Sequence, residues 1–233
     1  MKNIGFQLIG AKVPVRKIPK SYKSITGLVA SDKNQRMISF ESSLERDLIL
    51  LVEFDLNVEY YEEQPLVIDY VDSNGEVRTY TPDLFVRYRK DVLPAKWNQP
   101  SLYEVKHRHD LFANWKELKP KFRAARAYAK ERGWIFKIWT EKEIRTPYLY
   151  NVKFLRHYRN LEINENQVKL LLKAMDDLQE SRPETLLLAI YKDRIDRATL
   201  MPAMWHLISI GMIETDLTQR LTMSSHIWSS KET

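Results

Sequence analysis

The 233-residue chain contains no cysteine. Disulfides, thiolate metal sites and cysteine nucleophiles are therefore excluded, and the composition fits a reducing compartment such as the cytoplasm. No apolar run reaches the roughly 20 residues that a membrane-spanning helix needs. Met1 to Gly10 has little apolar content and no small-residue cleavage pattern, so no signal peptide is expected. A glycine-rich phosphate loop and internal repeats are also missing. What is present is ordinary for a chain with a buried core: 44% hydrophobic and 29% charged residues. The length allows one large domain or two small ones.

Charge is unevenly spread. The formal net charge is +6, which points to a polyanionic partner. Met1 to Asn160 carries 29 Lys and Arg against 20 Asp and Glu, whereas Leu161 to Thr233 carries 8 against 11. That asymmetry argues for two domains with different partners. Residues 1–36 read as a basic arm, with Lys2, Lys12, Arg16, Lys17, Lys20, Lys23, Lys33 and Arg36 against Asp32. Pro14 and Pro19 discourage a continuous helix there. The arm either follows DNA phosphates or is a solvated terminus.

Two short stretches carry the chemistry. Tyr80-Thr81-Pro82-Asp83 ends one alternating run and opens another, and Tyr103-Glu104-Val105-Lys106 follows after a loop. In a strand, Glu104 and Lys106 share a face while Val105 points away. If Asp83 lies on a neighbouring strand, two carboxylates and an ammonium converge. Such a pair of carboxylates binds a hard divalent cation such as Mg2+, with Mn2+ as a substitute. A lysine beside it orients or activates water, and the cation stabilises phosphate charge. Taken singly, E-x-K is common on exposed strands and Pro-Asp is ordinary turn chemistry. Their order and spacing favour a site.

The flanking elements follow from periodicity. Ser39 to Asp55 reads as a helix with Leu44, Leu48, Leu51 and Val52 inward. Glu45 falls inside that apolar arc, where a buried carboxylate needs a partner such as a metal or its water. Ser42 and Glu45 also spell the capping box S-x-x-E, and both readings stand. Asn57 to Gln64 reads as a polar approach, and Leu66 to Tyr70 and Glu76 to Tyr80 as a hairpin around Asn74-Gly75. Strands are expected over Asp83 to Arg89, Leu102 to Lys106 and Trp134 to Trp139. A second helix, Trp115 to Arg132, carries Lys116, Lys119, Lys121, Arg123, Arg126 and Lys130 on its polar faces. With few acids among them, phosphate contact is expected there, and also at His107 and Arg108. The result is an α+β core with a mixed central sheet flanked by helices.

Residues 140–162 read as a connector, taken as residues 146–162 outside the core. Beyond it, Asn164 to Glu180, Pro183 to Tyr191 and a third segment capped by Thr199 or Asp196 and ending at Ile210 read as helices. Met212 to Thr215 and Arg220 to Met223 could pair as a hairpin, giving a winged-helix-like domain over residues 163–233. Leu200 to Gly211 contains neither Lys nor Arg, so protein docking is favoured over base reading.

Phe40-Glu41-Ser42-Ser43-Leu44-Glu45-Arg46-Asp47, Glu63-Gln64-Pro65, Tyr80-Thr81-Pro82-Asp83 and Glu104-Val105-Lys106 together resemble the TnsA family, the endonuclease subunits of heteromeric transposons. The resemblance implies a restriction-endonuclease-like PD-(D/E)xK domain over residues 37–145 and a winged-helix-like C-terminal domain. It also implies cleavage at the 5′ ends of the element in double-stranded DNA, beside a TnsB-type transposase that cuts the 3′ ends. A TnsC-type ATPase is expected to contact the C-terminal region. Carried over to this chain, the catalytic positions are Glu45, Asp83, Glu104 and Lys106, and the metal ligands are Asp83, Glu104, the Val105 carbonyl and Glu45. Gln64 falls near the site. Some family members have glutamine where this chain has Glu104. Two other functions compete: a stand-alone restriction or repair nuclease, and a non-catalytic DNA-binding adaptor with structural carboxylates.

Overall fold

Apolar alternation begins earlier in the chain than the basic composition suggests. The computed structural model describes residues 25–92 and 94–230, so Lys2, Lys12, Arg16, Lys17, Lys20 and Lys23 lie outside the described residues. Strands β1 (Gly27–Ser31) and β2 (Arg36–Phe40) form an antiparallel hairpin in which Val29 faces Ile38. Val29, Ser31, Ile38 and Phe40 are buried, a period of two that selects strand over helix. The expected helix start at Ser39 is therefore displaced, and α1 runs Ser43–Phe54.

Strand β3 (Val58–Glu63) occupies the stretch expected to be a polar approach. Its sequence hides it because Glu63 is buried as a carboxylate. Arg36 donates to both its oxygens, Nη1 to Oε1 at 2.7 Å and Nη2 to Oε2 at 2.6 Å. Nothing local to Glu63 announces a partner 27 positions away. β4 (Ile68–Val71) and β5 (Val77–Tyr80) pair antiparallel across a turn at Asp72–Gly75, with Gly75 at φ 84°. They form their own two-stranded sheet, whereas the sequence reading ran them into the central one.

The central sheet has the order β3-β6-β7-β8, built with β6 (Leu84–Tyr88), β7 (Ser101–Val105) and β8 (Ile135–Trp139). β6 and β7 are antiparallel, and every residue of β7 is buried. A short helix, α2 (Arg108–Ala113), absent from the sequence reading, precedes α3 (Trp115–Glu131). Phe122, Ala125 and Ala129 of α3 form a core with Ile68, Tyr80, Phe85, Leu102 and Phe136.

The described chain falls into two compact units. One comprises residues up to Ser43, Glu59–Val105 and His109–Ile138; the other comprises Leu44–Val58, Lys106–Arg108 and Trp139 onward. The second holds most of α1 together with α4 (Glu141–Ile144), α5 (Pro147–Arg159), α6 (Glu165–Leu178), β9 (Glu180–Ser181), α7 (Pro183–Ile190), α8 (Arg194–Ser209), β10 (Ile213–Thr215) and β11 (Ile227–Ser229). The stretch read as a connector is thus largely helical. Thr140 and Glu143 close a capping box at the start of α4. In α5, Phe154 packs edge-on against Trp205 of α8, at 5.2 Å between ring centroids.

Two boundaries differ from the sequence reading for local reasons. α8 is capped by Asp193, whose Oδ1 accepts from the Ile195 and Asp196 N–H groups, earlier than either expected cap, Asp196 or Thr199. The helix consequently includes Arg194 and Arg197, so it does carry cations. β10 pairs with Ile227–Ser229 rather than with Arg220–Met223, in the sheet order β10-β11-β9. The Leu221 N–H is taken instead by Asn151 Oδ1 at 2.9 Å. Among the described residues no helix is long and apolar enough to cross a membrane.

Candidate active site

Asp83 stands where the ladder between β6 and β7 changes register. Leu84 is the cross-strand partner of Tyr103, yet the Asp83 N–H also reaches the Tyr103 carbonyl, at 3.0 Å. Asp83 thus stays bonded to β7 although it lies just outside the paired residues of β6. On its other side the Asp83 carbonyl accepts from the Gln64 N–H at 3.1 Å. With the backbone held from both directions, the carboxylate turns to β7, where Oδ2 accepts from the Val105 N–H at 2.6 Å. Asp83 is thereby fixed against the peptide that follows Glu104.

Glu104 is 1% exposed. Two groups from the same unit meet its carboxylate. The Tyr80 hydroxyl donates to Oε2 at 2.5 Å, and the Lys121 ammonium lies 3.3 Å from Oε1. Lys121 comes from α3 and rests over the rings of Tyr80, at 4.8 Å, and Phe122, at 5.2 Å. Burial, reinforced by the negative charges of Glu104 and Asp83, drives the Tyr80 phenol far above its ordinary value. Tyr80 therefore stays a donor across the working pH range, which is the state a carboxylate partner needs.

Gln64 has an unusual position. Its φ is 46°, in the left-handed region, and its Nε2 donates to Glu41 Oε1 at 2.7 Å. Its Oε1 is buried with no hydrogen-bond partner among the described residues. A buried acceptor without a partner costs about 1–3 kcal/mol, and a non-glycine residue at positive φ costs a further ~1–3 kcal/mol.

The remaining predicted positions are found as follows. Asp83, Glu104 and Val105 are brought together within the first unit, while Glu45 and Lys106 belong to the second. A start of α1 at Ser43 puts Ser42 just before the helix and Glu45 in its first turn, the register of the S-x-x-E alternative. Glu45 is half-buried rather than sealed in the apolar arc. The buried acid of α1 is Asp47, which the sequence reading passed over. Its partners are Lys153 Nζ at 2.8 Å, Arg145 Nε at 3.0 Å and Arg46 Nη2 at 3.1 Å. Burial alone would raise this carboxyl, but hydrogen bonds from Lys153, Arg46 and Arg145 outweigh it and hold the group below the ordinary range. Lys106 is half-buried just past β7, and its N–H donates to the Trp139 carbonyl at 3.1 Å.

Of the residues expected on phosphate, Lys119, Arg123, Arg126 and Lys130 are exposed on α3, and His107 and Arg108 are exposed before it. The Arg108 N–H and the His107 ring both approach Glu141 Oε2, at 2.8 Å and 3.5 Å. Lys121 differs from its neighbours on α3: it is turned inward to Glu104. Helical spacing held a trace of this, because Lys121 falls one turn before Ala125, on the side of the helix that packs on the sheet.

Among the described residues no group of three or more His, Cys, Asp or Glu is gathered as a metal cluster. The donors at Asp83 and Glu104 are hard oxygens. Their chemistry fits Mg2+, which takes one or two carboxylates and keeps several waters.

The site is thus a buried strand with one carboxylate at its penultimate residue and a second carboxylate latched to its last peptide. Comparison with known proteins gives the class. A family model for the TnsA-like endonuclease N terminal matches residues 55–141, and one for the TnsA endonuclease C terminal matches residues 143–217. The chain belongs to the TnsA family, the endonuclease subunits of transposases. No curated protein gives a significant match to the chain.

Proposed function

We propose that this chain is a Mg2+-dependent DNA endonuclease that cuts the 5′ ends of a transposon during cut-and-paste transposition. The observation that carries the reading is the latch between Asp83 Oδ2 and the Val105 N–H, 2.6 Å, which holds one carboxylate beside the strand that bears the other. Asp83, Glu104 and the Val105 carbonyl are the ligands in this reading, with Glu45 holding a second cation or a bound water. When bound, a hard divalent cation stabilises the charge on attacking and leaving oxygens of an in-line displacement. Tyr80 orients Glu104 without neutralising it, because a phenol donates a proton but carries no charge. Lys106 orients or deprotonates the attacking water and screens phosphate charge. Lys119, Arg123, Arg126 and Lys130 contact the DNA backbone, assisted by His107 and Arg108.

The core is read as restriction-endonuclease-like. For the C-terminal region, the order α6, β9, α7, α8, β10, β11 supports a winged-helix-like domain. Its partners are a TnsB-type transposase and a TnsC-type ATPase, the latter through the C-terminal region. A cytoplasmic location goes with a DNA substrate. A second reading, an adaptor with structural carboxylates, draws on the fact that Tyr80 and Lys121 already engage Glu104.

The test is strand cleavage at element ends, reconstituted with both partners, for wild type and Asp83→Ala. Loss of 5′ cleavage with DNA association nearly unchanged is expected, since association rests on Lys and Arg. Cleavage retained by a folded Asp83→Ala protein would sink the assignment and favour the adaptor. Cutting by the wild type alone would point to a stand-alone nuclease.

A further inference from the structure

Gln64 is placed in the neighbourhood of Asp83 by its sequence, but nothing so far gives it a task. Three observations converge on it. Its backbone is held at φ 46°, a conformation kept only where the surroundings impose it. Its main-chain N–H is spent on the Asp83 carbonyl at 3.1 Å, so the residue, just past β3, abuts Asp83, just before β6. Its side-chain oxygen is buried with no hydrogen-bond partner among the described residues.

The amide cannot relieve this by turning over. Nε2 donates to Glu41 Oε1 at 2.7 Å, and an ionised carboxylate only accepts. A flip would set oxygen against oxygen. Glu41 therefore fixes the amide with its carbonyl aimed away from the carboxylate, and the orientation follows from the donor pattern. A strained backbone, a pinned amide and a buried acceptor form an arrangement that suits a donor arriving from outside the protein.

We propose that Gln64 Oε1 is the neutral oxygen of the Asp83 site and accepts a hydrogen bond from a water held there with the divalent cation. This rests on the metal-dependent reading above. Gln64 acts as a positioning residue: it holds a water of the site and leaves charge compensation to the carboxylates. Outer-shell partners of this kind typically contribute 10- to 100-fold in metal affinity.

The test is calorimetric titration of Mn2+ into the full chain, with and without DNA, for wild type, Asp83→Ala, Gln64→Met and Gln64→Glu. Methionine has similar length but no donor and only a weak thioether acceptor. Glutamate keeps the acceptor, loses the donor to Glu41 and adds a like charge beside it. If Gln64 served only to tether Glu41, glutamate would be the worse substitution. If its oxygen serves the site, methionine is worse. The expected order is wild-type-like affinity for Gln64→Glu, a loss of roughly tenfold for Gln64→Met, and no binding for Asp83→Ala. Wild-type affinity in Gln64→Met, with Asp83→Ala silent, overturns the role of Gln64 and leaves the metal reading intact. A wild type that binds no Mn2+ even with DNA overturns both. Should thermal melting show that Gln64→Met does not fold, Gln64→Ala, which also removes the acceptor, takes its place: a loss of roughly tenfold supports the proposal and wild-type affinity overturns it.

Discussion

The two most deeply buried acids among the described residues, Glu104 and Asp47, lie one in each unit and are compensated differently. Asp47, 2% exposed, is met by two guanidinium groups and an ammonium. Glu104, 1% exposed, is met by a phenol and by an ammonium that itself rests over two aromatic rings. Cations on Asp47 lock its charge in place and tie α1 to α4 and α5, a structural use of a carboxylate. The donors on Glu104 orient it, and one of them carries no charge. Burial alone therefore does not mark a functional acid. The kind of partner does, along with the strain at Gln64 and its side-chain oxygen, which has no hydrogen-bond partner among the described residues.

The sharpest way to break that contrast is Asp47→Ala. It should cost about 3 kcal/mol of stability, the lower end for breaking a buried pair because its cations reach solvent. Chemical denaturation should show the loss, while Mn2+ affinity stays unchanged. The pH dependence has a definite sign. A depressed carboxyl stabilises the fold above its unfolded value, about 3.9, and that stabilisation disappears as the pH falls below it toward the lowered folded value. The stability gap between wild type and Asp47→Asn should accordingly be full at neutral pH and narrow below about pH 4.

Tyr80→Phe should have a smaller effect on stability, about 1.5 kcal/mol, for loss of one hydrogen bond to a charged acceptor. Unlike Asp47→Ala it should also weaken Mn2+ binding, measured by the same titration. Equal effects of the two substitutions on metal affinity would erase the distinction drawn between the two acids. The smallest effect is expected from Arg123→Ala with Arg126→Ala. Both side chains are exposed on α3, so folding and metal binding should be unaltered. DNA affinity should fall, and the slope of log affinity against log salt should flatten by about 0.9 for each phosphate that is no longer neutralised.

Much of the site was readable along the chain. β6, β7, the β4–β5 hairpin and α3 follow from alternation, Asn74-Gly75 and helical periodicity, and four spaced motifs were enough to identify the family. Asp83 and Glu104 were expected on neighbouring strands and are found on β6's entry and on β7. The misreadings share a cause. β3 looked polar because Glu63 is compensated by Arg36, which is distant in sequence. Asp47 was passed over because Arg145 and Lys153 lie far along the chain. Lys121 was grouped with the five other cations of the helix, where phosphate contact was expected.

The amino-acid sequence by itself determined which segments are strands and helices where apolar spacing is regular, which carboxylates recur at motif spacing, and which family the chain belongs to. These are properties of neighbours in the chain, set by side-chain periodicity and turn chemistry. Tertiary structure alone decided that Asp47 is locked by three cations, that Lys121 turns inward to Glu104, and that the Gln64 carbonyl is buried with no hydrogen-bond partner among the described residues. Those outcomes depend on contacts between residues far apart in the chain, as Lys153 is from Asp47, and the energy of a buried polar group is decided by whichever partner the fold brings to it.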